Sequence, residues 1–212
     1  MTWSILAHDP ATGAFGVAVT TCAFAVGAFC PHLAPGKGAL STQATTNPLF
    51  GVDGVAYLAE GLSAEEALAR LIAADPGRSR RQLHILDAGG GIAQHTGSDC
   101  VIWAGAARGP RVSVAGNMLV GPQVVQATLD RYVTTEGLPF AERLLDALDA
   151  GQAVGGDKRG KQSAAMKIAL DQPYPLVDIR VDDHPDPLAE LRRLYGVASL
   201  THIPAYPYRA RR

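Results

Sequence analysis

Residues 3–21 read WSILAHDPATGAFGVAVTT, two apolar runs joined by Asp9-Pro10-Ala11-Thr12-Gly13. The Asp, Pro and Gly of the joint are turn residues, so the runs Trp3 to His8 and Phe15 to Thr21 are expected to pair as a hairpin. Both arms are apolar on nearly every residue instead of every second one. That pattern belongs to strands covered on both faces. A chain built on this hairpin must therefore supply packing partners for each of its sides.

The apolar character extends further. No Asp, Glu, Lys or Arg occurs from Pro10 to Gly36. A membrane span needs about 20 consecutive apolar residues. Pro31 and Pro35 break this segment and Thr20, Thr21 and His32 interrupt it, so buried strands explain it better than a span. A third strand is expected at Gly38 to Ala44.

Helical signals follow. Gly51 to Gly61 reads as a short helix. Ser63 with Glu66 three residues on is a capping box, opening a helix to Ala74 whose Ala64, Ala67, Leu68, Leu71 and Ile72 form one apolar stripe. The stretch QLHILDAGGGIAQHTG predicts a second hairpin turning at Ala88 to Gly91, and Val112 to Ala115 a further strand. Pro122 suits the first turn of a helix to about Thr135. Another helix is expected at Phe140 to Ala150, with Gly151 just past its end. SAAMKIAL reads as a strand, and LVDIRVDD, with Val177, Ile179 and Val181 alternating with Asp178, Arg180 and Asp182, as a strand with one wet face. Asp186-Pro187 starts a last helix to Tyr195. Strands, helices, strands, helices, strands and a helix come in groups, not one by one. Grouping favours an antiparallel, layered α+β fold over a parallel α/β one.

The 212 residues suffice for one domain, expected over residues 1–196 with a tail at 197–212. A net charge of −1 carries no basic footprint for nucleic acid. Three cysteines without a CxxC pair fit a reducing, cytoplasmic setting and exclude a disulfide framework. The N-terminus has no basic region of the kind a signal peptide begins with.

Residues 155–166, GGDKRGKQSAAM, nearly spell a phosphate-binding loop. Gln162 stands where the magnesium-binding hydroxyl belongs, and a strand instead of a helix is expected to follow. Both features exclude a nucleotide site. What remains is a Gly-rich turn holding Asp157, Lys158, Arg159 and Lys161, either a solvated turn or the wall of a carboxylate or amide pocket.

This run resembles the GGD-RG-QSAA signature of a bacterial family catalogued as a domain of unknown function. TWSILAHDPATGAFGVAV, FAVGAFCPHLAPGKGALSTQATTNPLFG, GLSAEEAL, TGSDCVIWAG and AGNMLVGPQVV match that family in order, from Thr2 to about Tyr195. The family is grouped with the N-terminal nucleophile (Ntn) hydrolases. The resemblance implies a four-layer αββα sandwich of two antiparallel sheets between helices. Longer members resemble this chain followed by a C-terminal peptidoglycan-binding domain, before which this sequence stops.

Ntn hydrolases cleave amides with an N-terminal Thr, Ser or Cys whose α-amine, of pKa about 7.7–8.0, is the general base. Thr2 is the candidate nucleophile once Met1 is removed. A retained Met1 would block its amine. Ser4, two residues on, points the same way from a strand, as a helper hydroxyl or as the nucleophile after further trimming. Asn117 is the candidate oxyanion donor, or a turn Asn supporting Gly116. Asp157 is the candidate to orient the N-terminal amine. Thr42 and Asn47, in a polar run after the third strand, and Arg159, Gln162 and Ser163 are candidates to line a substrate pocket.

Rival constellations are weaker. Cys22 reads as a small buried thiol in an apolar strand. His84 and His95 flank one hairpin but lack a third ligand for a metal. Cys100 reads as packing or a turn residue, and His8, His32, His184 and His202 have no evident partner. No metal or cofactor is expected. The expected function is an Ntn-type amidohydrolase acting on a small amide or peptide-like substrate, in a chain that could form a homo-oligomer. The alternative is a non-catalytic protein of the same fold that binds a small metabolite or serves as a scaffold.

Overall fold

A computed structural model of the chain describes residues 2–211. Its described residues form two antiparallel sheets and five α-helices. The opening hairpin is present, as β1 (Thr2–Asp9) and β2 (Ala14–Thr21). It lies at the centre of a six-stranded sheet. β8 (Val112–Asn117) and the edge strand β7 (Gly105–Gly109) extend one side. β9 (Ser163–Ala169) and β10 (Val177–Val181) extend the other. The second sheet runs in the order β3 (Pro31–Ala34), β4 (Gly38–Ala44), β5 (Arg81–Asp87) and β6 (Ile92–Thr96).

Strand periodicity sorts the side chains of β1 between two environments. Trp3, Ile5 and Ala7 face one way, into a cluster with α3 (Gln123–Thr134), α4 (Phe140–Ala153) and α5 (Pro187–Thr201). Leu6 faces the other way, against Phe15, Val17, Ala39 and Leu86, where the two sheets meet. On the second sheet, Leu40, Leu83 and Ile85 point outward to Phe50, Leu58 and Leu71 of α1 (Pro48–Ala59) and α2 (Ala64–Ala74). The doubly apolar hairpin is thus packed on both faces. The capping box of Ser63 and Glu66 closes as expected, with Ser63 N and Oγ both donating to the Glu66 carboxylate.

Three features depart from the sequence reading. β3 and β7 carry little strand pattern. Both are edge strands, where half of the backbone pairing and much of the burial that shapes a central strand are absent, and Pro31 is tolerated because it opens an edge. α4 does not stop before Gly151. Gly151 lies inside the helix, and a side chain there would collide with Thr128 Oγ1 on α3 and crowd Trp3 Nε1, so glycine marks a close helix approach and not a helix end. α5 also continues past Tyr195 to Thr201. No helix among the described residues is long and apolar enough to cross a membrane.

Candidate functional site

Between the sheets the packing changes along the strands. It is apolar at the Leu6 end and polar toward Thr2. β1 contributes Thr2 and Ser4, β4 contributes Gln43, β5 contributes Gln82 and His84, and β8 contributes Ser113 and Asn117. All of these are buried. Buried polar groups persist only where they are hydrogen-bonded, and here they form one chain.

Ser4 Oγ lies 2.9 Å from Gln43 Oε1, an acceptor, so it donates there. Its lone pair then accepts from His84 Nε2–H at 2.8 Å. That tautomer leaves His84 Nδ1 to accept from Ser113 Oγ at 2.8 Å, and Ser113 in turn accepts from Gln94 Nε2 at 2.9 Å. In the other direction Gln43 Nε2 donates to Gln82 Oε1 at 2.8 Å. The same oxygen accepts from Asn117 Nδ2 at 3.0 Å, which also reaches the main-chain carbonyl of Thr2 at 3.4 Å. His84 is wholly buried, and desolvation lowers its pKa to about 3. It is neutral, as the chain requires.

Thr2 opens β1 at the polar end and is 6 % exposed. Its hydroxyl lies 3.4 Å from that of Thr21, the last residue of β2. Met1, whose retention or removal decides the state of the Thr2 amine, lies outside the described residues.

The Gly-rich turn borders the same region. The Asp157 carboxylate is buried and accepts from Cys22 N at 2.9 Å and from Arg159 N at 2.8 Å, with the Arg159 guanidinium at 3.3 Å. Asp157 also bridges to Leu119, just beyond β8. The turn is followed by β9 and not by a helix, as its failure as a phosphate loop requires. Both leading glycines have positive φ, +117° at Gly155 and +55° at Gly156. A Cβ on Gly156 would meet Trp3 Cη2 at 2.9 Å, and one on Gly155 would meet Val120 Cγ2 at 2.6 Å. Gly156→Ala should therefore cost about 2 kcal/mol in urea unfolding, far more than an exposed Gly-to-Ala change at negative φ. Asp157→Asn would turn an amide N–H₂ toward a backbone N–H donor and should cost about 2–3 kcal/mol by the same measurement.

The other candidates are distributed differently. Thr42 points away from Thr2, to the outer side of its sheet, where its hydroxyl donates to Asn47 O at 3.2 Å. Asn47 caps α1 through Leu49 N at 3.1 Å and reaches Asp75 at 3.3 Å. Arg159 is half exposed beside Asp157. Gln162 holds Thr21 O through its backbone and Asp183 through its side chain at 3.2 Å. Ser163 is wholly buried and fixes the 23–26 turn, donating to Ala23 O at 2.6 Å and accepting from Val26 N at 3.1 Å. Ser4 is equally buried, tied to Gln43 and His84.

Some residues read as unpartnered have partners. Cys22, expected as a small buried thiol within a strand, instead lies just past the end of β2 and is partly exposed, because the strand ends at Thr21. Its thiol stands 3.7 Å from Arg159 O. His84 and His95 sit on adjacent strands but on opposite faces, His84 opposite Gln94 and His95 opposite Leu83. His8 stacks on Phe15 and its Nδ1 accepts from Arg111, whose charge, after burial, helps hold the imidazole below its usual pKa. His32 bonds Phe29 O, His184 caps Asp186 N and His202 meets Arg209. No group of three or more His, Cys, Asp or Glu among the described residues could hold a metal ion. Gln82 was not singled out by the sequence reading, although the polar alternation Gln82, His84 against Leu83, Ile85 marks a strand with one polar buried face.

A family model described as "Family of unknown function (DUF1028)" matches residues 2–191. The chain belongs to this family. A DUF1028 protein of Silicibacter pomeroyi, known from its crystal structure, is 33 % identical and superposes with a TM-score of 0.88 over 97 % of this chain and 92 % of its own. The two DUF1028 chains therefore share one fold across nearly their whole length. The ancestral β-subunit (Anbu) of Yersinia bercovieri is 12 % identical with a TM-score of 0.42, over 95 % of this chain and 96 % of its own, too distant a likeness to carry a functional comparison. No curated protein matches the chain.

Proposed function

We propose that this DUF1028 protein is an Ntn-type amidohydrolase with Thr2 as nucleophile, built on a four-layer αββα sandwich. The observation that supports the reading is the placing of Thr2. It begins a central strand, its hydroxyl faces Thr21, and its carbonyl is held by the Asn117 carboxamide. On this reading removal of Met1 frees the α-amine, which takes the hydroxyl proton as the oxygen attacks the amide carbonyl and then delivers it to the leaving amine. The Asp157 turn fixes the adjoining loops, and Arg159 offers a guanidinium to a substrate carboxylate. Asn117 Nδ2 is engaged by Gln82 and Thr2, so its part is to position the nucleophile strand, with any oxyanion donors supplied by backbone N–H groups.

The second reading, a non-catalytic binder of small metabolites, is favoured by the burial of Thr2, 6 % exposed. Intact mass of the untagged protein separates the two. Loss of one methionine, followed by turnover in a screen of small amides, supports the hydrolase. A full-length mass, or a trimmed protein inert toward every amide offered, supports the binder.

A further inference from the structure

One cavity lies apart from all of the Thr2-site residues. It is an open groove of about 680 Å³ between α2 and the strands β6 and β7. That volume lies within the range of small-molecule pockets, about 300–1,000 Å³. Its floor is apolar, formed by Leu68 and Ile72 of α2 and by Ala93 of β6. Its rim carries two guanidiniums, Arg78 and Arg108, against the single carboxylate of Glu65. Neither arginine belongs to any ion pair among the described residues, although nine other Arg and Lys side chains do.

We propose that this groove is a second ligand site that takes an amphipathic carboxylate, with its chain on Leu68, Ile72 and Ala93 and its head group on Arg78 and Arg108. An arginine fork matches a carboxylate in geometry and charge, and the apolar floor supplies the rest of the affinity. Besides a long hydrogen bond from Arg78 Nη1 to Asp75 O at 3.5 Å, two contacts set the rim in place. His95 Nε2–H donates to Arg78 O at 2.9 Å. Arg108 Nη1 donates to Ile92 O at 3.2 Å, which leaves its remaining N–H groups for a ligand. The second contact, with Gln94 Nε2 on Ala107 O at 2.9 Å, ties the edge of β6 to β7. An edge already tied in this way suits a small molecule and not an added peptide strand.

The test is calorimetric titration of octanoate, and separately of 1-octanol, into the full-length protein. Octanoate should bind saturably, and 1-octanol at least about tenfold more weakly. The Arg78→Ala/Arg108→Ala double variant should lose at least about tenfold in octanoate affinity with an unchanged unfolding midpoint, because both side chains are exposed. Ala69→Trp, which fills the groove from the helix side without removing a cation, should block binding and serves in place of the double variant if that one unfolds. No octanoate binding by the wild-type protein, or equal binding by these variants, overturns the proposal.

Discussion

Lowering the pH from 7 to 3 should cost this fold on the order of 4 kcal/mol through His84 alone. The imidazole is wholly buried between the sheets, and desolvation brings its pKa from 6.5 to about 3. The folded pKa is lowered, so below pH 6.5 the unfolded chain binds a proton that the folded chain refuses. Stability from this group is complete above that pH and drains away as the pH falls toward about 3, where the native state also protonates. The slope should be close to 1.4 kcal/mol per pH unit between. Protonation would also place a donor at Nδ1, facing a Ser113 hydroxyl that is itself held by Gln94. Urea unfolding of the wild type and of His84→Gln across this range isolates the term. The variant should be less stable at pH 7 and should lack the extra slope, while the carboxylates depressed by ion pairs, such as Asp75 beside Arg81, contribute equally to both. Parallel curves would show that His84 is charged or hydrated in the folded protein.

Thr2→Ala should lower kcat/KM for any amide the protein cleaves by at least about 10³-fold, because nucleophile and base reside on one residue and act as a unit. Thr2→Ser keeps a hydroxyl and an amine and should retain measurable turnover. A form that keeps Met1 should be as inactive as Thr2→Ala, since the amine is then an amide. Turnover of trimmed wild-type protein should rise with pH through about 7.7–8.0 as the α-amine loses its proton. Hydrolysis that survives Thr2→Ala unchanged would remove Thr2 from the chemistry.

The candidate site was legible in the sequence only at its ends. Thr2 was visible because the mechanism of an N-terminal nucleophile names its position in advance. Asp157 was visible because Gly155 and Gly156 mark a turn whose charges stand out from an apolar background. Gln43 and His84 were not visible as the partners of Ser4, because hydrogen bonds between residues 39 and 80 positions apart leave no local pattern. Thr42 and Asn47 show the converse. Polar residues one position apart in a strand face opposite ways, so Gln43 joins the buried chain while Thr42 turns to α1 and Asn47 becomes its cap.

The sequence by itself determined the hairpin, its burial on both faces, the Ser63 capping box and the grouping of strands and helices. Each of these follows from side-chain periodicity and turn chemistry within a dozen residues. Only the tertiary structure decided which sheet edges β3 and β7 occupy, that Gly151 lies inside a helix, and which polar side chains meet between the sheets. Those outcomes depend on what approaches from distant parts of the chain, such as Trp3 against Gly156 and Thr128 against Gly151.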